Sequence, residues 1–163
     1  MKIVLDTSAL MSLAAGRCLD LVVGSLECVI PERVREELVG LSRNNDFEGN
    51  LAKHILDHLD KEIVVHPSYK QSKQGEIECA YLANDLNGAE FLVTDDTLAL
   101  EKLEKICTKN VRFSTLLIYA LCLKDKITKL QAFEILERMR VKRNWKDNVI
   151  YEQALLLLER LPS

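Results

Sequence analysis

The chain lacks the long apolar runs and the cysteine pairs that mark several classes of protein. Its longest late apolar run, residues 116–123, is too short to span a bilayer, and Asp6 interrupts the first apolar run too early for a signal peptide. The five cysteines are scattered and form no C-x-x-C pair, which argues against a disulfide framework and a cysteine zinc site. We therefore expect a protein of the reducing cytoplasm, without a membrane segment.

An excess of basic charge is also missing. The formal net charge is -3 over 163 residues, so a nucleic-acid site would have to be a local feature. Low-complexity segments and internal repeats are absent as well. A hydrophobic share of 48% with 29% charged residues is typical of a folded protein, and the length favours a single domain over residues 1–163.

Short apolar or β-branched runs alternate with longer stretches that have helical periodicity. The predicted strands are residues 2–5, 27–30, 62–65, 90–93 and 110–113. Strands separated by helices need crossover connections, which favours an α/β fold whose parallel sheet lies between helical layers. After residue 113 the pattern is purely helical. We expect an α/β body at residues 1–113 and a helical C-terminal extension at residues 114–163.

Three sequence signals mark the ends of helices, and one segment is the clearest predicted loop. The loop is residues 66–74, and Gly75 is expected to precede the next helix. Ser114 is predicted to cap the first helix of the extension. The sequence TKLQ at residues 128–131 has the pattern of a capping box.

Carboxylates follow two of the predicted strands. Asp6 ends the first apolar run, and Asp95 and Asp96 follow the fourth. In an open parallel sheet, ligands bind at the carboxyl ends of the strands where the strand order reverses. If the first and fourth strands are neighbours at that point, these carboxylates converge. Like charges raise one another's pKa, so the cluster predicts a divalent cation.

Glutamates on two predicted helices can complete the cluster. Glu37 borders the apolar face of its helix, whereas Glu36 points the other way. Glu76 lies in a first turn on the face of small apolar residues, and Glu78 is flanked by less of that face, so the preference for Glu76 is modest. Oxygen ligands alone favour Mg²⁺ or Mn²⁺ over zinc. Such ions act on phosphate oxygens, which is nuclease chemistry.

Each acidic residue also has an ordinary explanation. Asp6 could cap the first helix, and Asp95 or Asp96 could cap the helix after the fourth strand. Glu37 could belong to a solvated helix face. Their joint position, more than any one residue, favours a site.

A basic segment at residues 138–146 surrounds the single tryptophan. Its members are Arg138, Arg140, Lys142, Arg143, Trp145 and Lys146. The cations could bind an RNA backbone while the indole stacks on a base. A solvated helix end whose tryptophan packs into the core is the favoured alternative.

The three histidines receive no role from the sequence. His54 and His58 have the i, i+4 spacing of a metal-binding pair, but no third ligand is evident. They are interpreted, together with His66, as surface residues.

The sequence resembles the PIN domain family of metal-dependent ribonucleases, which includes the VapC-type toxins. The resemblance rests on IVLDTSAL at 3–10, IPERVREEL at 30–38, GEIECAYLA at 75–83 and FLVTDD at 91–96. It covers residues 1 to about 113, and the helical tail is similar to an extension of one subgroup of small prokaryotic PIN proteins. It implies a three-layer α/β/α sandwich with a central parallel sheet of about five strands, Mg²⁺ or Mn²⁺ as cofactor and RNA as substrate.

The resemblance also implies roles for individual residues. The four acidic positions are matched in order by Asp6, Glu37, Glu76 and Asp96, with Asp95 as an auxiliary and Ser8 and Thr94 in support. The family usually has Asp at the third position, and the nearby Glu78 leaves that assignment open. We therefore treat the first four as catalytic and add Glu78 and Asp95 as candidate metal ligands.

The leading hypothesis is a metal-dependent endoribonuclease in which the metal activates water and no side chain acts as nucleophile. It could be a toxin with an antitoxin partner, and apolar surface on the C-terminal helices favours a homodimer. The alternative is an RNA-binding or protein-interaction module of this fold without turnover. A phosphatase with an aspartyl nucleophile is disfavoured, because Ser8 stands where a second Asp would act as acid.

Overall fold

A computed structural model describes residues 1–67, 72–146 and 148–161. Within these ranges five parallel strands form one sheet in the order β3-β2-β1-β4-β5. The strands are β1 (Lys2–Leu5), β2 (Glu27–Pro31), β3 (Ile63–His66), β4 (Ala89–Val93) and β5 (Asn110–Arg112). The predicted five-stranded parallel sheet is confirmed. Part of the predicted loop at 66–74, residues 68–71, lies outside the described residues.

Nine helices occupy the described ranges. They are α1 (Thr7–Ala15), α2 (Leu19–Val23), α3 (Glu32–Ser42), α4 (Phe47–Leu56), α5 (Gly75–Asp85), α6 (Leu100–Ile106), α7 (Thr115–Leu123), α8 (Lys129–Lys142) and α9 (Val149–Glu159). The chain crosses from β1 through β2 to β3 in one direction and then returns to β4 and β5 in the other. Right-handed crossovers in opposite directions place helices on opposite faces of the sheet. The result is the expected α/β/α architecture with additional C-terminal helices.

The core follows from the burial of the central strand. Ile3, Val4 and Leu5 of β1 are 0% exposed, as expected for a parallel strand covered on both faces. One cluster of buried apolar side chains includes residues of the sheet, of α1–α6 and of α7–α9. Helix α8 contacts α1, and α7 contacts α2. The C-terminal helices therefore pack against the α/β body.

Two of the three predicted helix starts need correction. The capping box at residues 128–131 is confirmed, since Thr128 and Gln131 bond to one another's backbone N–H groups. Gly75 is the first residue of α5 and does not precede it. Ser114 occupies the N-cap position of α7, but its side chain makes no cap bond and donates instead to Asp95. None of the helices in the described ranges is long and apolar enough to cross a membrane.

Candidate metal centre

The carboxyl ends of β1 and β4 lie side by side at the point where the strand order reverses. Leu5 pairs with Val93, and β1 has β2 as its neighbour on the other side. The backbone N–H of Asp6 donates to Val93 O at 3.1 Å. Asp6 and the segment that begins at Thr94 therefore leave the sheet at the same place, so the condition stated for convergence of the carboxylates is met.

A cleft of about 240 Å³ opens at this end of the sheet. Its lining includes Asp6, Thr7, Ser8, Met11, Glu37, Leu41, Glu48, Glu76, Asp96 and Arg143. All four residues that were predicted to be catalytic are in this set. They come from the end of β1, from α3, from the first turn of α5 and from the segment after β4.

Two hydroxyl groups hold the carboxylate of Asp6. Ser8 Oγ donates to Oδ1 at 2.8 Å and accepts from the backbone N–H of Asp95 at 2.8 Å. Thr94 Oγ1 donates to Oδ2 and accepts from the backbone N–H of Asp96 at 3.1 Å. Each hydroxyl therefore links one oxygen of Asp6 to the backbone that follows β4. These are the two residues predicted to support the site.

Asp6 is also the N-cap of α1. Its Oδ1 accepts from the backbone N–H of Ala9 at 2.8 Å, which confirms that Asp6 caps the first helix. The side chain is only 3% exposed. Loss of hydration raises the pKa of Asp6 to about 7, although its three hydrogen-bond donors act in the opposite direction. A cation beside this carboxyl would favour its charged form.

Glu37 is held between α1 and α5. Its Oε1 accepts from the backbone N–H of Gly75 at 2.9 Å, and its Oε2 accepts from Thr7 Oγ1. A Cβ atom on Gly75 would lie 2.6 Å from both carboxylate oxygens. The neighbouring Glu36 is exposed and pairs with Arg33 at 2.6 Å. Of the two adjacent glutamates, the cleft therefore contains the one that the helical pattern favours.

Glu76 and Glu78 have different surroundings. Glu76 is partly buried and lines the cleft. Glu78 is 0% exposed and accepts from the backbone N–H of Ser72 at 2.9 Å, so it orders the segment before α5. Burial raises the pKa of the nearby Cys79 thiol well above its usual value, and the negative charges of both glutamates, of Asp6 and of Glu37 raise it further. The structure thus favours Glu76 over Glu78 as the third residue of the cleft.

Asp95 and Asp96 also differ. Asp96 lines the cleft, and its Oδ1 accepts from the backbone N–H groups of Leu98 at 3.0 Å and Ala99 at 3.2 Å. Asp95 accepts instead from Ser114, from N–H at 2.8 Å and from Oγ at 2.6 Å. Burial raises the pKa of Asp95, and the two bonds from Ser114 partly oppose this effect. Asp95 therefore ties the start of α7 to the end of β4.

The predicted RNA-binding segment divides between the core, the cleft and the surface. Trp145 is 8% exposed, so its indole packs in the core, which corrects the idea that it stacks on a base. The other side chains have these contacts: Arg138 donates to Gly16 O, Arg140 pairs with Glu137, Lys142 lies over the Phe47 ring, Arg143 lines the cleft, and Lys146 is exposed. Of the six residues of this segment, Arg143 is the one in the cleft lining.

In a comparison with family models, a family described as PIN domain matches residues 2–160. The chain belongs to the PIN domain family. The matched range includes the C-terminal helices as well as the α/β body. Comparisons with curated proteins and with solved structures found no match. PIN domains are usually nucleases and typically use divalent metals, so this is a nuclease fold in general terms.

The donor set in the cleft of this PIN domain fits a hard divalent ion. A carboxylate has about four lone-pair directions, two on each oxygen. Each oxygen of Glu37 accepts one hydrogen bond, so each oxygen can still bind a metal ion. Mg²⁺ keeps several waters and needs few protein carboxylates. Within the described ranges, no three carboxylates of the cleft bring oxygen atoms within 4.8 Å of one another.

Four residues of this PIN cleft received no site role from the sequence: Thr7, Met11, Leu41 and Glu48. The bond from Gly75 to Glu37 and the position of Arg143 in the cleft lining were not recognised either. Thr7 lies between Asp6 and Ser8 in a polar triplet that directly follows a strand, which is a usable signal. Gly75 directly precedes Glu76, where a glycine permits close approach to a helix start. Arg143 directly follows α8 and lies 50 residues after the end of β4, and nothing in the local pattern connects the two.

Proposed function

We propose that this PIN domain is an endoribonuclease that depends on Mg²⁺ or Mn²⁺. The observation that carries the proposal is the cleft lined by Asp6, Glu37, Glu76 and Asp96 at the carboxyl ends of β1 and β4. A site of this kind has the oxygen donors that hard cations require. PIN nucleases commonly bind RNA, and this supports RNA as the substrate.

The four carboxylates would hold one or two ions, which when bound supply Lewis-acid activation of water and of the phosphate oxygens. No side chain needs to act as a nucleophile. Ser8 and Thr94 fix the orientation of Asp6, because each bonds to a different carboxylate oxygen. Thr7 and the N–H of Gly75 do the same for Glu37. Carboxylates that are held in one orientation would keep the ion in the same position while the RNA is cleaved.

Arg143 is the cationic side chain in the cleft lining, and we assign it to the RNA backbone. Its Nη1 lies 3.4 Å from Oε1 of Glu48, which is exposed. A single contact of 3.4 Å with an exposed carboxylate contributes little to stability, so a phosphate can replace Glu48 as the partner. Lys142 and Lys146 are exposed and close to Arg143 in sequence, so we include them as further candidates for phosphate contacts. Arg138 and Arg140 bond within the protein and stay weaker candidates.

RNA cleavage in Mg²⁺, Mn²⁺ and EDTA tests the proposal. We expect wild type to cleave with either metal and to stop in EDTA. Asp6→Asn should lower the rate of RNA cleavage by more than about 100-fold. Replacing a residue that only supports a metal ligand already lowers metal affinity or activity by about 10- to 100-fold. Glu37→Gln should lose cleavage while Glu36→Gln keeps it, because only Glu37 lines the cleft.

Undiminished cleavage by Asp6→Asn would refute the assignment. A second outcome would favour the alternative of a binding module: tight RNA binding without cleavage in Mn²⁺ by a protein with no affinity for the metal. The Glu36→Gln control shows whether the loss of cleavage in Glu37→Gln comes from the cleft or from general damage to α3.

The proposal extends to partners and organisation. PIN nucleases often pair with antitoxins, so we include a toxin role with an antitoxin partner in the cytoplasm. Expression of wild type, but not of Asp6→Asn, should then arrest cell growth.

We also infer one domain over residues 1–163 and a homodimer through exposed leucines of α7–α9, namely Leu123, Leu130 and Leu156. Sedimentation equilibrium checks the dimer.

A further inference from the structure

A second group of potential metal ligands lies away from the carboxylate cleft. Asp20 is in α2, His54 is in the last turn of α4, and His58 lies two residues after the end of α4. Within the described ranges these are the three His, Cys, Asp or Glu residues whose ligand atoms all lie within 4.8 Å of one another. None of them lines the carboxylate cleft. The i, i+4 histidine pair seen in the sequence therefore acquires a third neighbour from another helix.

The distances in this group match those between the ligands of a four-coordinate zinc ion. Oδ1 of Asp20 lies 3.6 Å from Nε2 of His54 and 2.8 Å from Nε2 of His58. Zinc bonds of about 2.0–2.1 Å in a tetrahedral arrangement put neighbouring ligand atoms roughly 3.3 Å apart. The two observed distances lie on either side of this value. Movements of a few tenths of an ångström would bring both distances from the Asp20 oxygen to this value.

A fourth residue orients the more buried histidine. Nδ1 of His58 lies 3.2 Å from Oε2 of Glu62, while Nε2 faces Asp20 and His54. Metal-binding histidines commonly donate their second ring N–H to a carboxylate, which fixes the ring and the tautomer. The ring planes of His54 and His58 stand at 87°, with their centroids 5.1 Å apart. The two rings therefore approach the same point from different directions.

We propose that Asp20, His54 and His58 bind one zinc ion, with Glu62 as the residue that positions His58. Two imidazoles and one carboxylate suit zinc, whereas the oxygen donors of the cleft suit Mg²⁺ or Mn²⁺. Asp20 and His54 are well exposed, so water can occupy the fourth coordination position. The ion joins α2 to the end of α4, and its binding stabilises the native state.

Titration of tag-free, metal-stripped, full-length protein with Zn²⁺ tests the site. We expect one zinc per chain and a rise in Tm for wild type, and loss of both for His54→Gln and His58→Gln. His66→Gln is the matched control and should bind as wild type does, because His66 is outside the cluster. Glu62→Gln should bind about 10-fold more weakly or worse. Substitution with Co²⁺ should give the visible bands of a four-coordinate ion.

The same distances could come from imidazolium–carboxylate pairs that bind no metal. In that case wild type would take up no zinc, or the His54→Gln and His58→Gln variants would take up as much as wild type, and either result overturns the proposal. His54 is about half exposed, so His54→Gln keeps the fold even if His58→Gln does not. Zinc uptake should persist in Asp6→Asn, which keeps this test independent of the nuclease proposal.

Discussion

The backbone N–H of Gly75 bonds to the carboxylate of Glu37 at 2.9 Å, in a gap that has no room for a Cβ atom. This contact joins the first residue of α5 to the middle of α3. The N-terminus of a helix carries partial positive charge, which favours a carboxylate at that position. The next residue along the chain is Glu76, so one glycine brings two acidic residues of the cleft together.

Gly75→Ala should impair the site and spare the fold. The added methyl group would lie 2.6 Å from both oxygens of Glu37, and these atoms are the far end of a flexible side chain that can move away. We expect unfolding by urea to change little and the affinity for Mn²⁺ to fall by about 10-fold or more.

Gly40→Ala is the matched control for this substitution. Gly40 is on α3, as Glu37 is, and a Cβ there would meet nothing within 4 Å. This change should raise stability by about 0.5–1 kcal/mol without affecting metal affinity. Equal metal affinity in Gly75→Ala and wild type would show that the position of Glu37 does not matter.

Thr94→Val should weaken metal binding because it removes the hydroxyl that connects Asp6 to Asp96. Thr94 is fully buried, and valine fills nearly the same space, so the loss is mainly one of hydrogen bonds. Calorimetric titration with Mn²⁺ should show a loss of about 10- to 100-fold. Thr94→Ser keeps the hydroxyl and should stay close to wild type. If both variants bind alike, the hydroxyl has no role in the site.

The fold was predictable because each strand is a short apolar run and each crossover contains a helix. Ile3, Val4 and Leu5 are apolar at every position, which is the pattern of a strand buried on both faces. The strand boundaries differ from the predicted ones by one residue at most. The start of α7 was predicted at the right residue, Ser114, but the bond of its side chain was not, because the partner Asp95 lies 19 residues away in sequence.

The residues of the cleft were predictable where the end of a strand or the period of a helix determines the position of a side chain. Asp6 and Asp96 follow neighbouring strands, and a helical wheel separates Glu37 from Glu36. The sequence could not separate the roles of Asp95 and Asp96, because the difference lies in the bonds from Ser114. The third member of the histidine cluster, Asp20, lies in another helix, so the spacing of His54 and His58 could not reveal it.

Asp95→Asn and Asp96→Asn should differ although the residues are adjacent. The amide at 95 can still accept from the Ser114 N–H and can donate to its hydroxyl, so this variant should keep its fold and most of its RNA cleavage. The amide at 96 keeps the turn before α6 but loses charge in the cleft, and cleavage should fall by about 10-fold or more. Equal losses in cleavage assays would contradict the separate roles.

Asp6→Asn should stabilise the metal-free protein at alkaline pH. The folded pKa of about 7 lies above the ordinary value of 3.8, so the folded state holds the proton more tightly than the unfolded state. This contribution is fully present below pH 3.8 and is lost as the pH rises through 7.

Urea unfolding in EDTA at pH 8 and at pH 4 measures this effect. Wild type should be less stable than Asp6→Asn at pH 8, by an amount on the order of 1–4 kcal/mol, and the difference should shrink at pH 4. Lower stability of the variant at both pH values would mean that burial of the Asp6 charge is not costly.

The position of a bound Mn²⁺ ion tests the central claim most directly. Crystals grown or soaked in Mn²⁺ can be measured near the manganese absorption edge, and the anomalous difference map locates the ion without reference to the protein. We expect a peak within bonding distance of carboxylate oxygens of both Asp6 and Asp96. A map in which manganese occupies only other places, such as the Asp20, His54 and His58 cluster, would contradict it.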